Sequence, residues 1–167
     1  YQILKDISIT GRSAIDGSFT REELKRHNDT YTTAIFGSYS KTDNSSYEWN
    51  SDVLVNYHKT FSDFTLDLNG GANHRQTEYE SIGGSGAVFQ IENLFALNNT
   101  GNPRPSEDYS KKVINSVYGF GELSYKNAIF LNITGRNDWS STLPSASRSY
   151  FYPSVGLTAV LTDLLHL

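Results

Sequence analysis

Cysteine and methionine are both missing from the 167 residues of this chain. The lack of cysteine excludes a disulfide framework and a thiolate zinc site. An excess of positive charge is missing too: the net charge is −4, so we expect no nucleic-acid partner. No stretch approaches the roughly 18 apolar residues of a membrane-spanning helix. A spanning strand needs only about 9–11 residues of alternating character, so a membrane location stays open.

Sequence motifs for catalysis and for cofactor binding are equally missing. The histidines show no ligand spacing such as i, i+4 on a helix. The glycine clusters at 70–71 and 83–86 lack the strand–turn–helix setting of a phosphate loop, and no Gly-x-Ser-x-Gly elbow is present. We therefore expect no enzyme, no cofactor and no metal site. The histidines are His27, His58, His74 and His166.

Aromatic residues are plentiful, at 13%, although hydrophobic residues amount to only 37%, against about 45–50% in an average soluble domain. Disordered chains are poor in aromatics, so the composition indicates a folded chain. It fits strands that carry apolar side chains on one side only. The chain starts without methionine and stops on an apolar residue, and we expect both ends to be cuts within a longer protein.

Most of the chain alternates apolar and polar residues with a period of two, which predicts β-strands. Residues 33–59 are predicted to form one long strand. Aromatics gather at strand ends, Trp49 and Trp139 on one side and Phe61 and Tyr125 on the other, as in the two aromatic belts of a membrane barrel. The positions predicted to form the apolar face include Ile7, Ile9, Val53, Val55, Leu66, Leu68, Ile129, Leu131, Ile133, Leu157, Ala159 and Leu161.

The connections between these strands are predicted to alternate in length. Charged and polar residues predict a long loop at 17–32, and glycine, asparagine and proline predict a longer one at 81–112. Such alternation between half-apolar strands is typical of an up-and-down membrane barrel. The predicted fold class is therefore all-β, an antiparallel up-and-down transmembrane β-barrel segment. A soluble carbohydrate-binding β-sandwich is the alternative, since its strands also alternate. The other connections are predicted to be short at 60–63 and 126–127 and long at 140–150.

Aromatic and amide side chains on the predicted outer side are the candidate substrate-binding residues. Aromatic faces together with hydrogen-bonding amides would suit sugars or peptides. An aromatic belt with solvated amides is the simpler interpretation of any one of these residues. The candidates are Tyr79, Asn98, Asn99, Tyr109, Trp139 and Tyr150.

The stretch Gly-Arg-Asn-Asp-Trp-Ser-Ser-Thr-Leu-Pro at 135–144 links two alternating strands. Arg136 and Asp138 share the polar parity of Asn132, which predicts an ion pair across i, i+2 or to a neighbouring strand. Trp139 has the opposite parity and is predicted to lie at the outer lipid boundary. We interpret Arg136 and Asp138 as structural residues of the lumen and rim, not as a substrate site.

Four segments resemble the barrel of SusC/RagA-type TonB-linked outer-membrane transporters. They are 116–125, 130–144 and 149–155, with a looser match at 54–61 in a turn between two strands. The resemblance implies that this chain supplies about six strands of a roughly 22-stranded barrel. The plug and the remaining strands would then be absent from the chain, and residues 1–167 would all belong to the barrel domain.

The resemblance also implies a location and partners. The transporter would lie in the cell outer membrane of a Gram-negative, Bacteroidetes-like bacterium, in contact with outer-membrane lipid. It would work with a SusD-like surface lipoprotein and draw energy from the TonB complex through the plug. The family catalyses no reaction and imports large nutrients, either glycans, as in polysaccharide utilisation, or oligopeptides. This chain would form part of the barrel wall and its extracellular loops.

Overall fold

A computed structural model describes residues 2–162, which form one antiparallel sheet of seven strands in sequence order. Six strands are long and the first is short. Two single turns of 3₁₀ helix interrupt the connections, at Leu97–Asn99 and Ser145–Ser147. No helix within the described residues has the length and the apolar character needed to cross a membrane. The strands are β1 (Gln2–Leu4), β2 (Ile7–Thr30), β3 (Ala34–Phe61), β4 (Phe64–Ala87), β5 (Arg104–Tyr125), β6 (Ile129–Ser140) and β7 (Ser149–Ala159).

The up-and-down strand order and the long third strand are confirmed. The strand predicted at 33–59 is β3, and tight turns at 62–63 and 126–128 join β3 to β4 and β5 to β6. The backbone has positive φ at Ser62 (54°) and Asn127 (52°), which lets these turns reverse the chain within two or three residues. The strand neighbours in space are therefore the neighbours in sequence.

The long loop predicted at 17–32 is wrong. Strand β2 continues to Thr30, and only the turn 31–33 connects it to β3. The charged residues do not end the strand because most of their side chains remain exposed. Some of the charges also pair across strands, as Arg21 does with Asp43 at 2.6 Å. Charge density therefore indicated solvation here, and solvation is compatible with a strand.

The long irregular region predicted at 81–112 is present but shorter. Strand β4 runs to Ala87 and β5 begins at Arg104, which leaves 88–103 as the connection. The loop predicted at 140–150 likewise narrows to 141–148. Strands thus extend further at both ends than the turn-forming residues indicated. Connections are still short at one end of the strands, but at the other end one of the three is short as well.

The register of β5, β6 and β7 separates apolar from polar residues. Leu123 lies opposite Leu131, which lies opposite Leu157, so these leucines share one face of the sheet. One residue away, Glu122 lies opposite Asn132 on the other face. The period-two prediction for these strands is therefore confirmed.

Apolar side chains of β6 and β7 in unit 1 are not covered by another layer within residues 2–162. All described strands belong to one sheet, and Ile133, Val155 and Leu157 are 52%, 72% and 74% exposed. A β-sandwich would bury such residues against a second sheet. The structure therefore offers no support for the sandwich alternative.

The chain divides into two compact units. Unit 1 comprises Tyr1–Ile15, Trp49–Gln76 and Lys112–Leu167, and unit 2 comprises Asp16–Glu48 and Thr77–Lys111. Unit 1 contains all of β6 and β7, and unit 2 contains the connection between β4 and β5.

A small aromatic cluster forms the core of unit 2. The ring of Phe89 meets Phe95 edge-on, with centroids 5.5 Å apart, and Phe95 meets His27 in the same way at 4.9 Å. Tyr39 and Phe89 are only 7% and 8% exposed. Phe89 and Phe95 thus pack within the 88–103 connection, whereas Val88, Ile91 and Leu94 stay exposed. Gly37 makes the packing possible, because a Cβ there would lie 2.3 Å from the Phe89 ring.

Replacing Gly37 by alanine should release the 88–103 connection. Gly37 has φ of +75°, where a Cβ costs about 1–2 kcal/mol, and the overlap with Phe89 adds a cost of about 1–3 kcal/mol. We expect Gly37→Ala to create new protease cleavage sites within 88–103 and to lower the stability against urea. Gly11→Ala is the matched control, since no atom lies within 4 Å of its added Cβ. Equal protease resistance of the two variants would contradict this account of the cluster.

Candidate functional site

A line of polar side chains crosses the strands of unit 1 on the face opposite the leucines. Asp52 on β3 is its centre. Arg12 on β2 donates to one carboxylate oxygen, with 3.0 Å between Nη2 and Oδ1. Tyr118 on β5 donates to the other, with 2.6 Å between its hydroxyl and Oδ2. One carboxylate thus joins three strands.

Gly71 allows Tyr118 to reach across the intervening strand β4. A Cβ at position 71 would lie 2.6 Å from Cζ of Tyr118 and 2.7 Å from its hydroxyl oxygen. Any other residue would therefore push the phenol ring away from Asp52. Of the Gly70-Gly71 pair, Gly71 is the place of close approach, whereas no atom lies within 4 Å of a Cβ built on Gly70.

Arg136 on β6 extends the line to the next strand. Its guanidinium lies 5.7 Å from the centroid of the Tyr118 ring. Its Nε donates to Oδ1 of Asp138 at 2.7 Å, and its Nη2 donates to the hydroxyl of Ser116 at 2.9 Å. The predicted Arg136–Asp138 ion pair across i, i+2 is therefore present. Ser116 is only 2% exposed, so the pair is anchored at a buried hydroxyl.

The same face continues as hydrogen-bonded polar residues towards the turn at 62–63. Asn56 bonds to Asn69 on β4. His58 bonds to Asp67, with 2.6 Å between Nδ1 and Oδ1. The polar side chains are engaged with one another rather than aimed at a common point. This face can line water, and its pattern is not that of a catalytic centre.

Metal binding has no support within residues 2–162, where no group of three or more His, Cys, Asp or Glu side chains could hold an ion. His27, His58 and His74 each bond to an Asn or Asp side chain instead. His166 lies outside the described residues.

Aromatic residues mark the apolar face of unit 1. Trp49 donates from Nε1 to the hydroxyl of Ser13 at 3.0 Å, and its ring lies 5.6 Å from His74. Trp139 has the parity of the leucines on β6, opposite to that of Asp138, and is 38% exposed. Both tryptophans thus combine an apolar ring with polar neighbours, the arrangement favoured at a membrane–water boundary. A second aromatic group lies beside the short turns, where Phe64 stacks with Phe61 and meets Tyr125.

The six candidate substrate-binding residues are divided between the two units. Trp139 and Tyr150 belong to unit 1, where they have opposite parities, and Tyr150 lies opposite Asp138. Tyr109 is exposed on β5, and Asn98 is exposed in the connection between β4 and β5. The hydroxyl of Tyr79 donates to Asn44 at 3.1 Å.

Asn99 has a structural role that the sequence did not indicate. It is only 6% exposed, and its side chain bonds to both the backbone N–H and the carbonyl of Ile91 at 2.9 and 2.8 Å. The amide also donates to the carbonyl of Leu94 at 2.8 Å. The side chain of Asn99 therefore holds the 88–103 connection together and is not free to meet a ligand.

Charged pairs and a cleft in unit 2 were not predicted. Arg21 donates two hydrogen bonds to Asp43, of 2.6 and 3.0 Å. These bonds hold the pKa of Asp43 below its usual range. Hydrogen bonds from Lys25 and then Tyr39 likewise lower the pKa of Glu23. A cleft of about 470 Å³ opens among β2, β3, β4 and the start of β5. Most of these residues fall in the segments 17–32 and 81–112, which were predicted to be loops. Their positions on neighbouring strands could therefore not be predicted.

Comparisons with known proteins agree with this geometry. No family model and no curated protein matches the chain. A solved structure of the RagAB peptide transporter matches with a TM-score of 0.89 and 18% identity. The match covers 97% of this chain and 19% of the transporter chain. The RagAB peptide importer in a "closed-closed" state matches 97% of the chain and 19% of its own at TM-score 0.88 and 18% identity. The same importer in an "open-open" state matches with a TM-score of 0.84 and 21% identity. That match covers 93% of this chain and 18% of the importer chain.

The fold is that of a section of this transporter. The resemblance to SusC/RagA-type transporters is thereby confirmed at the level of the fold, and the structural neighbours are transporters, not enzymes. The chain spans about a fifth of the length of the structures it matches.

Replacing Tyr118 by phenylalanine should weaken the link between β3 and β5. The change removes one hydrogen bond to a carboxylate and keeps the ring, so we expect a loss of about 1–2 kcal/mol in the free energy of unfolding. Tyr125→Phe is the control, because its hydroxyl makes no hydrogen bond within the described residues. Urea unfolding of the purified protein measures both. A Tyr118→Phe variant as stable as Tyr125→Phe would show that the Asp52 contact contributes nothing.

Proposed function

We propose that this chain forms part of the wall of an outer-membrane barrel that imports large nutrients. The observation that most directly supports this proposal is the single sheet, which has an exposed apolar face and a hydrogen-bonded polar face. In water, apolar side chains as exposed as Val155 and Leu157, at 72% and 74%, would favour aggregation, whereas lipid solvates them well. The fold shared with a peptide transporter supports the same conclusion.

Strand length supports a wall that continues outside the bilayer. Strands β2, β3 and β4 have 24, 28 and 24 residues. Crossing the hydrocarbon takes only about 9–11 residues. More than half of each strand therefore lies beyond it, where charged pairs such as Arg21–Asp43 are in contact with water.

The polar line from Arg12 to Arg136 is proposed to face the lumen. A barrel that carries large solutes keeps a polar interior, and each polar group in the wall needs a partner. Asp52 meets this need by accepting from two strands at once. Sharing one carboxylate among strands also fixes their register, which keeps the leucines on the lipid side.

Oligopeptides are the proposed substrates, with glycans as the second candidate. RagAB is described as a peptide transporter, and this chain shares the fold of one section of it. By the resemblance, a SusD-like surface lipoprotein would cover the barrel, and the TonB complex would supply energy through a plug outside this chain. Trp139, Tyr150, Tyr79, Tyr109 and Asn98 remain candidates for substrate contact from the two units.

The two faces of β7 provide a test of the proposed wall. Leu157→Arg places a charge on the lipid side, at a cost of about 2–4 kcal/mol near the bilayer centre. Thr158→Arg places the same charge on the polar side. In the full-length protein, we expect Leu157→Arg to reduce the amount of heat-resistant barrel in the outer membrane and the uptake of a labelled oligopeptide. Thr158→Arg should retain both. Equal effects of the two variants would refute the assignment of faces.

Uptake itself tests the importer. Cells that carry the Thr158→Arg control should accumulate the labelled peptide only while the proton-motive force is intact. Uptake that continues after a protonophore is added would contradict energy-coupled import.

A further inference from the structure

We propose that the cleft in unit 2, called here the arginine cleft, binds carboxylate groups of the imported oligopeptide. The proposal rests on the import function above and narrows its substrates to acidic peptides or to free C-termini. Arg26 on β2 and Arg104 at the start of β5 both line the cleft, with Tyr39 on β3 between hydroxyl-bearing neighbours.

The cleft has the size and the lining of a ligand site. Its volume of about 470 Å³ is within the range of roughly 300–1,000 Å³ typical of ligand pockets. No acidic residue occurs among the described residues that line it. Residues with hydrogen-bonding side chains also line the cleft, namely Thr33, Ser38, Ser40, Ser85 and Asn102.

The two arginines differ from their neighbours in lacking a carboxylate. Arg12 and Arg21, the other arginines of β2, each bond to an aspartate, at 3.0 and 2.6 Å. No ion pair involves Arg26 or Arg104 within residues 2–162. Two uncompensated guanidinium groups at one cleft make a positive site in a chain whose net charge is negative.

The carboxylate that Tyr39 contacts does not neutralise this site. Glu23 accepts from the Tyr39 hydroxyl at 3.2 Å and pairs with Lys25 at 2.8 Å. Its charge is thus already matched by a lysine.

The wall beside Arg104 is held in place by the folded 88–103 connection. Thr100 is 3% exposed and packs so tightly on Gly86 that a Cβ there would lie 2.0 Å from its hydroxyl oxygen. Asn99 fixes the turn before it. The carbonyl of Arg104 lies 3.2 Å from the position of a Cβ on Gly84, so the start of β5 is close against β4. The cleft is therefore preformed, which reduces the entropy lost on binding.

Guanidinium groups select for carboxylates through paired, charge-assisted hydrogen bonds. A neutral glycan offers hydroxyls that the serines could meet, but nothing that would compensate two arginines. An oligopeptide offers a C-terminal carboxylate and any Asp or Glu side chains. The unpaired charge of the cleft thus favours anionic peptides over neutral solutes.

Binding of two synthetic peptides to the full-length transporter tests this proposal. One peptide carries two glutamates and a free C-terminus, and the other carries glutamines and an amidated C-terminus. For the acidic peptide, we expect Arg26→Gln and Arg104→Gln each to weaken binding about tenfold, the effect of one charge-assisted hydrogen bond. Binding of the neutral peptide should not change. Arg148→Gln, which removes an exposed arginine in the 141–148 connection, is the matched control and should leave both affinities unchanged.

The possible outcomes distinguish a failure of the proposed carboxylate binding from a failure of the proposed import function. Both glutamine variants must reach the outer membrane as heat-resistant barrel, which excludes a folding defect, and Arg26→Lys should recover part of the affinity. Loss of both peptides to the same extent, or an equal effect of Arg148→Gln, would overturn the arginine cleft while leaving peptide import intact. A wild-type protein that binds and imports neither peptide would overturn peptide import as well.

Discussion

Every strand of the sheet has to present its apolar side chains on the same face, and the other features of the structure depend on this alignment. In β5, β6 and β7 the leucines at 123, 131 and 157 line up, while Glu122 and Asn132 line up one residue away. A slip of one residue would exchange the two faces of a strand. The polar contacts across strands are consequences of this alignment and also help to maintain it, since Asp52 can accept from Arg12 and Tyr118 only in the native register.

The two units satisfy their polar groups in different ways. In unit 1 one carboxylate serves several strands, and a glycine at 71 clears the path for the phenol that reaches it. In unit 2 some charges are paired between side chains close by, such as Arg21 with Asp43, and a cluster of Phe89 and Phe95 holds the 88–103 connection. The first arrangement suits a wall between lipid and a polar lumen, where unmatched groups are expensive. The second suits a region in water, where unpaired arginines can be left for a ligand.

Features that depend on residues close together in the sequence could be predicted. Alternation identified most strands, and the Arg136–Asp138 pair followed from an i, i+2 spacing on one face. The Asp52 contacts could not be predicted, because Arg12 and Tyr118 lie 40 and 66 positions away and meet it only through the register of four strands. The role of Asn99 was missed for a related reason: an amide in a glycine- and asparagine-rich segment looks free until its backbone partners are known. The long loop predicted at 17–32 was wrong because charge indicates exposure, which a strand with solvated faces shares with a loop.

The central claim is that the leucine face meets lipid and the Arg136 face meets water. The chain has no cysteine, so single cysteines along β6 can carry a spin label within this segment without competition. Accessibility to oxygen and to a water-soluble nickel chelate should be measured at each position of the full-length protein in bilayers. We predict that labels at 129, 131 and 133 are more accessible to oxygen than to the chelate, and that labels at 132, 134 and 136 are more accessible to the chelate. Equal access of the chelate to both sets would contradict the lipid-facing wall.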